Sequence, residues 1–176
     1  DILEGRAAEE SEPDKGTMAR GSTQCLHCPQ TISADRVKSQ CIEGHNGRML
    51  LAVATSKQGA TGVRFRAPVA RDEDAFLSAE KALGGMVANH DDPFFPLVPD
   101  EPFPPKGALG IRPSIYGIRT WGQIHNPRQA LALVCFSDTV QEAFREIVAR
   151  GADDEVSKAI ALYLAFVLSK MVPCQS

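Results

Sequence analysis

The sequence lacks a dominant charge, a leader pattern and a hydrophobic run of membrane-spanning length. Its formal net charge over 176 residues is −3, which gives no overall attraction to nucleic acid. The first fifteen residues hold six acids and no apolar run, unlike a secretory signal peptide. The longest apolar run covers the ten residues 159–168, about half of what a transmembrane helix needs. These absences favour a cytoplasmic protein.

The patterns of common cofactor and nucleophile sites are also missing. No Gly-x-Gly turn leads from a strand into a helix, and no Gly-x-x-x-x-Gly-Lys-Ser/Thr phosphate loop is present. Ser114, Ser137 and Ser157 lack the flanking glycines of a nucleophile elbow. His90 and His125 each stand alone in predicted loops. We therefore predict no catalytic residue in this chain.

The cysteines suggest a metal site. An odd number of five does not suit a secreted disulfide framework. Cys25 and Cys28 have the spacing of a zinc knuckle, and Cys41 and His45 follow at a spacing acceptable for structural zinc. Residues 23–47 have few apolar side chains, so a metal would contribute much to their folding. We predict Cys25, Cys28, Cys41 and His45 as zinc ligands. Two alternatives stay open: vestigial cysteines, or a half-site at Cys25 and Cys28 that other residues complete.

The first half of the chain otherwise predicts a hairpin and a helix. Residues 49–54 have the pattern of a buried strand, and the alternating residues 62–67 should pair with them across a turn at 56–61. The acids at 72–74 should begin a helix, because negative charge suits a helix N-terminus. The glycines at 84–85 should fray that helix near its end.

The second half predicts a connector and two helices. More than half of the twelve prolines lie in 91–113, which predicts an extended connector. Within it, Asp92-Pro93-Phe94-Phe95 differs at one position from the Asp-Pro-Pro-Tyr/Phe loop with which amino-methyltransferases hold a target amino group. We interpret it as an ordinary loop. Asn126, Pro127 and Gln129 have the pattern of a capping box and predict a helix over 127–150. A second helix, from Asp153 to about Met171, is apolar nearly all round and should be buried on more than one side.

These elements predict a mixed α+β chain with a cysteine knuckle, a small β hairpin, a Pro-rich connector and a C-terminal antiparallel helix pair. We expect four regions: a flexible lead-in over 1–22, the knuckle, hairpin and helix over 23–90, the connector over 91–125, and the helix pair over 126–176. Because the first helix of the pair can cover only one side of the second, we expect further cover from a longer parent protein, of which this chain would be a fragment.

Positive charge is concentrated in residues 36–71, where seven bases stand against Glu43 alone, a local +6. Arg64 and Arg66 are two apart on the second predicted strand, so they should project from one face, with Val63 and Phe65 packing inward from the other. Such a face is free for solvent or for DNA phosphates. We predict nucleic-acid contact by Arg36, Lys38, Arg48, Arg64 and Arg66; the alternative is a solvated sheet face.

Several ordered motifs carry a family resemblance. They include Val-Pro-Asp-Glu-Pro-Phe-Pro-Pro at 98–105, Leu-Gly-Ile-Arg at 109–112, Tyr-Gly-Ile at 116–118, Trp-Gly at 121–122, Pro-Arg-Gln-Ala-Leu-Ala-Leu at 127–133 and the stretch 161–170. The lead-in at 16–21, Cys25-x2-Cys28 and Gly-Arg-Met at 47–49 also fit. Over residues 16–171 the chain resembles the middle segment of the large adenine-specific DNA methylases that carry a zinc ribbon and an N-terminal domain of unknown function.

The resemblance implies a parent enzyme that transfers a methyl group from S-adenosylmethionine to N6 of adenine in DNA, a reaction that requires the base to be flipped out of the stack. This chain would be a non-catalytic segment that contributes DNA contact and scaffolding. Its partners would be DNA and the remainder of the methyltransferase, and S-adenosylmethionine would bind only to the intact parent. Cys41 and His45 match no cysteines of the family, and Pro29 replaces a glycine. The alternative is a stand-alone zinc-knuckle interaction module without enzymatic activity.

Overall fold

The computed structural model describes residues 18–25, 27–56, 59, 62–104, 110 and 112–175, with side chains up to 173. The chain divides into two compact units: residues 1–73 with 104–119, and residues 74–103 with 120–176. Helices and small antiparallel sheets are both present, which confirms the predicted α+β class. Most of the predicted lead-in, residues 1–17, lies outside the described residues.

A three-stranded antiparallel sheet begins the described part of the first unit. It consists of β1 (Met18–Ala19), β2 (Ser22–Gln24) and β3 (Thr31–Ile32), in that order. Arg20 and Gly21, both with positive φ, make the tight turn between β1 and β2, a conformation that suits a two-residue hairpin. The prediction of a loose lead-in is therefore wrong from Met18 onward. Strands of two or three residues are too short to leave a period in the sequence.

Helix α1 (Ala34–Ile42) follows this sheet and packs against it. Its cap is Ser33, whose hydroxyl accepts the Arg36 N–H at 3.3 Å. The sequence did not predict α1, because a helix of nine residues with no buried residue leaves only a short apolar pattern.

The predicted hairpin is confirmed with shorter strands. β4 (Val53–Thr55) pairs antiparallel with β5 (Arg64–Arg66), in a register that sets Ala54 opposite Phe65. The predicted burial of the first strand is wrong, since Met49 is 74% exposed and Leu51 is 72% exposed. Phe65 is also exposed, so its predicted inward packing is wrong as well. An isolated two-stranded ribbon has no second layer against which to bury a face.

Helix α2 (Ala70–Ala88) begins in the first unit and continues in the second. It passes through Gly84 and Gly85 without interruption, so the predicted fraying is wrong. The Asn89 side chain donates to the Gly85 carbonyl at 2.8 Å, and the Asn89 N–H donates to the same oxygen at 3.2 Å. This closure offsets the roughly 1 kcal/mol that each glycine costs within a helix.

The second unit contains the predicted helix pair. Helix α3 (Pro127–Ala149) and helix α4 (Asp154–Gln175) pack against each other after a tight turn at Gly151, where φ is +82°. The Asn126 cap accepts the N–H groups of Arg128 and Gln129 at 3.0 Å each, while the Gln129 side chain accepts the Asn126 N–H at 2.8 Å. This reciprocal arrangement is the predicted capping box.

Little apolar surface is buried in the part of the chain that the structure describes. The buried hydrophobic side chains are Ala79, Ala130 and Val134, and Ser157 of α4 is completely buried. Helix α4 packs against α3 on one side, and its further cover by a longer parent protein stays a prediction. By length and composition, Asp154–Pro173 could cross a membrane, with a mean hydropathy of 1.5 and 6% of the stretch buried. The ten-residue run 159–168 understated this stretch, because Val156, Met171 and Val172 extend it beyond the run.

Candidate functional site

The first candidate site is the turn between β2 and β3, which carries Cys25 and Cys28. The Cys25 N–H donates to the Gln30 carbonyl at 3.0 Å and closes the turn. The His27 N–H points at the Cys25 sulfur, with a nitrogen–sulfur distance of 3.4 Å. The strands on either side hold this loop, because Gln24 pairs with Thr31. The predicted cysteine knuckle is therefore a tight turn at the end of a hairpin.

The electrostatics of the knuckle favour a thiolate. Hydrogen bonds lower the pKa of Cys25, first from the His27 N–H, then from the Cys28 thiol and the Cys28 N–H. Cys28 is exposed and Cys25 is half-buried. A thiolate is the form that binds a metal, and zinc takes two such ligands from one knuckle. The two sulfurs are thus close together and reachable from solvent.

The structure does not bring the other two predicted zinc ligands into this cluster. Cys41 lies in the last turn of α1, and His45 follows a left-handed Gly44 that ends the helix. The His45 Nδ1 is 3.3 Å from a carboxylate oxygen of Glu43. Among the described residues, no three His, Cys, Asp or Glu side chains are grouped so that they could hold a metal ion. The four-ligand site stays a prediction, and so do its two alternatives, vestigial cysteines and a half-site that other residues complete.

The predicted DNA-contacting residues lie on three segments of the first unit. Arg36 and Lys38 are on α1, Arg48 precedes β4, and Arg64 and Arg66 are on β5. Lys38 pairs with Asp35 at 3.1 Å, while Arg36, Arg48 and Arg64 are exposed. The structure thus places exposed cationic side chains on separate elements of this unit.

Arg66 forms an ion pair with Asp72 of the same unit. Its guanidinium forms two hydrogen bonds with the Asp72 carboxylate, at 2.7 and 2.8 Å. The Val69 N–H also donates to Asp72, at 2.9 Å. The hydrogen bonds from Arg66 hold the pKa of Asp72 well below its usual range and raise the pKa of Arg66. The predicted face is therefore not free for phosphate at Arg66.

A further candidate region joins two motifs of the second unit. Pro102 forms a β-bridge with Thr120, and the Trp121 N–H donates to the Glu101 carbonyl at 3.1 Å. The rings of Phe103 and Trp121 stack at 4.6 Å between centroids, with planes tilted by 52°. The sequence analysis missed this pairing. The presence of an aromatic residue in each motif was the one signal that could have suggested it.

The contact between the two motifs requires a glycine at position 122. Its N–H donates to the Pro99 carbonyl at 2.9 Å. A Cβ added at Gly122 would lie 2.4 Å from that oxygen and 2.6 Å from a methyl of Val98. The two segments therefore approach so closely that no other residue fits at this position.

A cavity of about 370 Å³ lies beside this junction, lined by Leu97, Trp121, His125 and Leu168 among others. The Nδ1 atom of His125 is buried without a hydrogen-bond partner.

The loop at 92–95 is closed by its own aspartate: the Asp92 carboxylate accepts the N–H groups of Phe94 and Phe95 at 2.9 and 3.1 Å. The segment is a loop, as predicted, and an aspartate commonly closes its own turn in this way.

Comparison of the chain with models of protein families, with curated proteins and with solved structures finds no match in any of the three.

Proposed function

We propose that the chain is a non-catalytic segment of an S-adenosylmethionine-dependent, adenine-specific (N6) DNA methyltransferase, where it contributes DNA contact and scaffolding. The first support is the resemblance of its ordered motifs to the middle segment of that family. In this role the chain holds neither the methyl donor nor the target base. It presents cationic side chains to the DNA backbone and fixes the path of the chain between the parts that do the chemistry.

The observation that carries the proposal is the junction between two of the resembling motifs. Residues 98–104 of the first motif and the Trp-Gly pair at 121–122 are separated in sequence but contact each other through main-chain hydrogen bonds and packed aromatic rings. A simple linker does not require glycine, proline and aromatic residues that pack closely against each other. Their meeting at one point is what a scaffold requires.

DNA contact is proposed for Arg36, Arg48 and Arg64, with Lys38 beside them. Phosphate binding requires positive charge at an accessible position, and each phosphate contact releases counterions. Arg66 has a different role, because its charge is compensated by Asp72. Arg66 is therefore left out of the proposed DNA contact.

The test is a salt titration of duplex DNA binding by the full chain, followed by fluorescence anisotropy. Arg64→Ala should reduce the slope of log affinity against log salt by about one, without a change in sequence preference. Arg150→Ala serves as the matched control, because Arg150 is an exposed arginine of the second unit that pairs with Glu146. Absence of binding at low salt, or the same slope for Arg64→Ala and wild type, contradicts DNA contact.

A second candidate function is that of a stand-alone zinc-knuckle interaction module. The specific observation in its favour is the pair of adjacent sulfurs in the β2–β3 turn, with the Cys25 thiolate supported by main-chain N–H groups. Zinc would be held by Cys25 and Cys28 together with ligands beyond this cluster. Its effect would be to fix the turn that presents the adjoining surface to a partner.

Elemental analysis of the purified chain tests this function. We expect a zinc content of at most about one ion per chain. The content should depend on which further ligands complete the half-site. Cys25→Ser should abolish binding, because one sulfur cannot hold the ion at this turn. Cys135→Ser removes an exposed cysteine of α3 and should leave the zinc content unchanged. Zinc-free protein whose melting is unaffected by added zinc would contradict the module.

A further inference from the structure

Helix α4 has two apolar faces, of which α3 covers one. Ala161 and Ala165 face α3, where they line a shared groove with Val140 and Phe144. About 100° around the helix from the completely buried Ser157, four residues recur at positions i, i+4, i+7 and i+11 and form one stripe along the helix. This outer stripe consists of Val156, Ile160, Tyr163 and Val167, with Leu164 and Phe166 at its margins.

The outer stripe is open to solvent. Tyr163 is 72% exposed, Val167 is 59% exposed and Val156 is 52% exposed. Between Lys158 and Lys170, α4 carries no charged side chain. The exposed parts of the stripe and its margins amount to roughly 600 Å², of the same order as the roughly 800 Å² that each partner contributes to a standard protein interface. This area is at the upper end of the largest apolar patches that monomers expose, about 300–600 Å², and such patches are often functional.

A helix packs on this stripe better than a bilayer does. Asp154–Pro173 is long enough for a bilayer, but Tyr163 lies at its centre, where the hydroxyl would have no water and no partner. Tyrosines of membrane helices lie instead at the two interfaces. Asp154, Glu155 and Lys158 form a charged cluster inside the same stretch. A protein partner must therefore offer an apolar stripe and, at its middle, a group that can hydrogen-bond a hydroxyl.

A second copy of this chain meets both requirements. We propose that two copies associate through their outer stripes, with the α4 helices antiparallel about a two-fold axis near Tyr163. One Tyr163 hydroxyl then donates to the other, and the O–H of the second donates to water at the edge of the interface. Ile160 of one copy lies beside Val167 of the other, so the same patch serves both sides, as a two-fold interface requires. An antiparallel arrangement also separates the two charged N-terminal clusters and opposes the helix dipoles.

With the α3–α4 pair of each copy, the association makes a four-helix bundle whose central layer is the two outer stripes. The stripe has the spacing at which helices of such bundles interlock. The outer stripe contains none of the residues assigned to DNA or zinc, so its variants test this inference separately from the proposed function.

Sedimentation equilibrium of the full chain over a range of concentrations tests the proposal. The wild type should show a reversible monomer–dimer equilibrium. Tyr163→Glu should raise the dissociation constant by at least about tenfold, because it places an unpaired charge at the centre of the interface. The matched control is Phe94→Glu, which changes an aromatic side chain that is 84% exposed on a loop, and it should leave the equilibrium unchanged.

Cysteine crosslinking provides a second measurement that does not depend on the stability of a charged variant. In Tyr163→Cys, mild oxidation should join the two copies through residue 163, as peptide mapping can establish in the presence of the native cysteines. Val172→Cys should not join to its own counterpart, because antiparallel helices separate those positions. A monomer at every concentration, a dimer unaffected by Tyr163→Glu, or association only with lipid vesicles would overturn the proposal.

Discussion

At the scale of single residues, the pair of Arg66 and Asp72 shows how a charge predicted for an external partner can be used inside the fold. Asp72 accepts two hydrogen bonds from the guanidinium and one from the Val69 N–H. Its side chain is 13% exposed, against 35% for Arg66. The pair joins β5 to the first turn of α2, so the charge of Arg66 is committed to local structure.

The first prediction concerns the acid sensitivity of this pair. Asp72 has a folded-state pKa below its unfolded value, so its contribution to stability is complete above roughly pH 5 and is lost as the pH falls below about 4 toward the folded pKa. Asp72→Asn should lower the melting temperature by a few degrees at neutral pH and should reduce its fall on acidification. Circular dichroism melts between neutral pH and pH 3 measure both effects.

Asp35→Asn is the control, because Asp35 is a 95% exposed carboxylate that pairs with Lys38 on a helix surface. Such pairs contribute little to stability. An equal loss in both variants, or an unchanged acid response in Asp72→Asn, would show that the pair does not hold the junction.

At the scale of elements, the close contacts are decided by backbone conformation. The 3₁₀ turn Pro113–Tyr116 ends at Gly117 with φ of +82° and packs against α1. A Cβ at Gly117 would lie 2.5 Å from the Cys41 carbonyl oxygen. This contact brings together two segments far apart in the chain, and nothing in the local pattern around Tyr-Gly-Ile predicts it.

Gly117→Ala and Gly151→Ala should therefore differ in cost. Both glycines have φ of +82°, but a Cβ at Gly151 would meet nothing within 4 Å. Gly151→Ala should cost about 1 kcal/mol, the strain of a left-handed alanine. Gly117→Ala carries the same strain plus a clash with main-chain atoms, so its cost should be larger by about 1–3 kcal/mol. Equal free energies of unfolding by urea denaturation would refute the close approach to α1.

At the scale of the whole molecule, the proposed function assigns contact and support, and not catalysis, to this chain. In that proposal the exposed arginines bind DNA and the motif junction serves as a scaffold. An adenine methyltransferase needs a cofactor turn and a loop for the target amino group, and the sequence has neither pattern. The Asp92 loop is closed on its own main chain.

We therefore expect the isolated chain not to methylate DNA. The measurement is an incubation with labelled S-adenosylmethionine and adenine-containing duplex, compared with a protein-free control. A known adenine methyltransferase on the same duplex provides the positive control. Transfer above the protein-free level would show that the chain contains catalytic residues that neither the motifs nor the geometry reveal.

Local rules were enough for the sequence to determine the helix pair and the hairpin. Asn126, Pro127 and Gln129 define the start of α3 by hydrogen bonds within four residues of one another, so the capping box could be predicted without knowledge of anything distant. The alternation around Phe65 likewise predicted β5, and the spacing of Cys25 and Cys28 predicted the knuckle turn. The α+β class follows from these elements.

Only the tertiary structure decided what those residues contact. Asp72 forms an ion pair with Arg66, Trp121 packs on Phe103, and Gly117 approaches Cys41. In each pair, the two residues are connected by a chain segment whose path the local sequence pattern does not predict. Burial is decided in the same way: α4 is equally apolar on two sides in the sequence, but α3 covers only one of them. An apolar pattern specifies which surface must leave water, whereas the packing partner depends on chain connectivity and on the surfaces available to cover it.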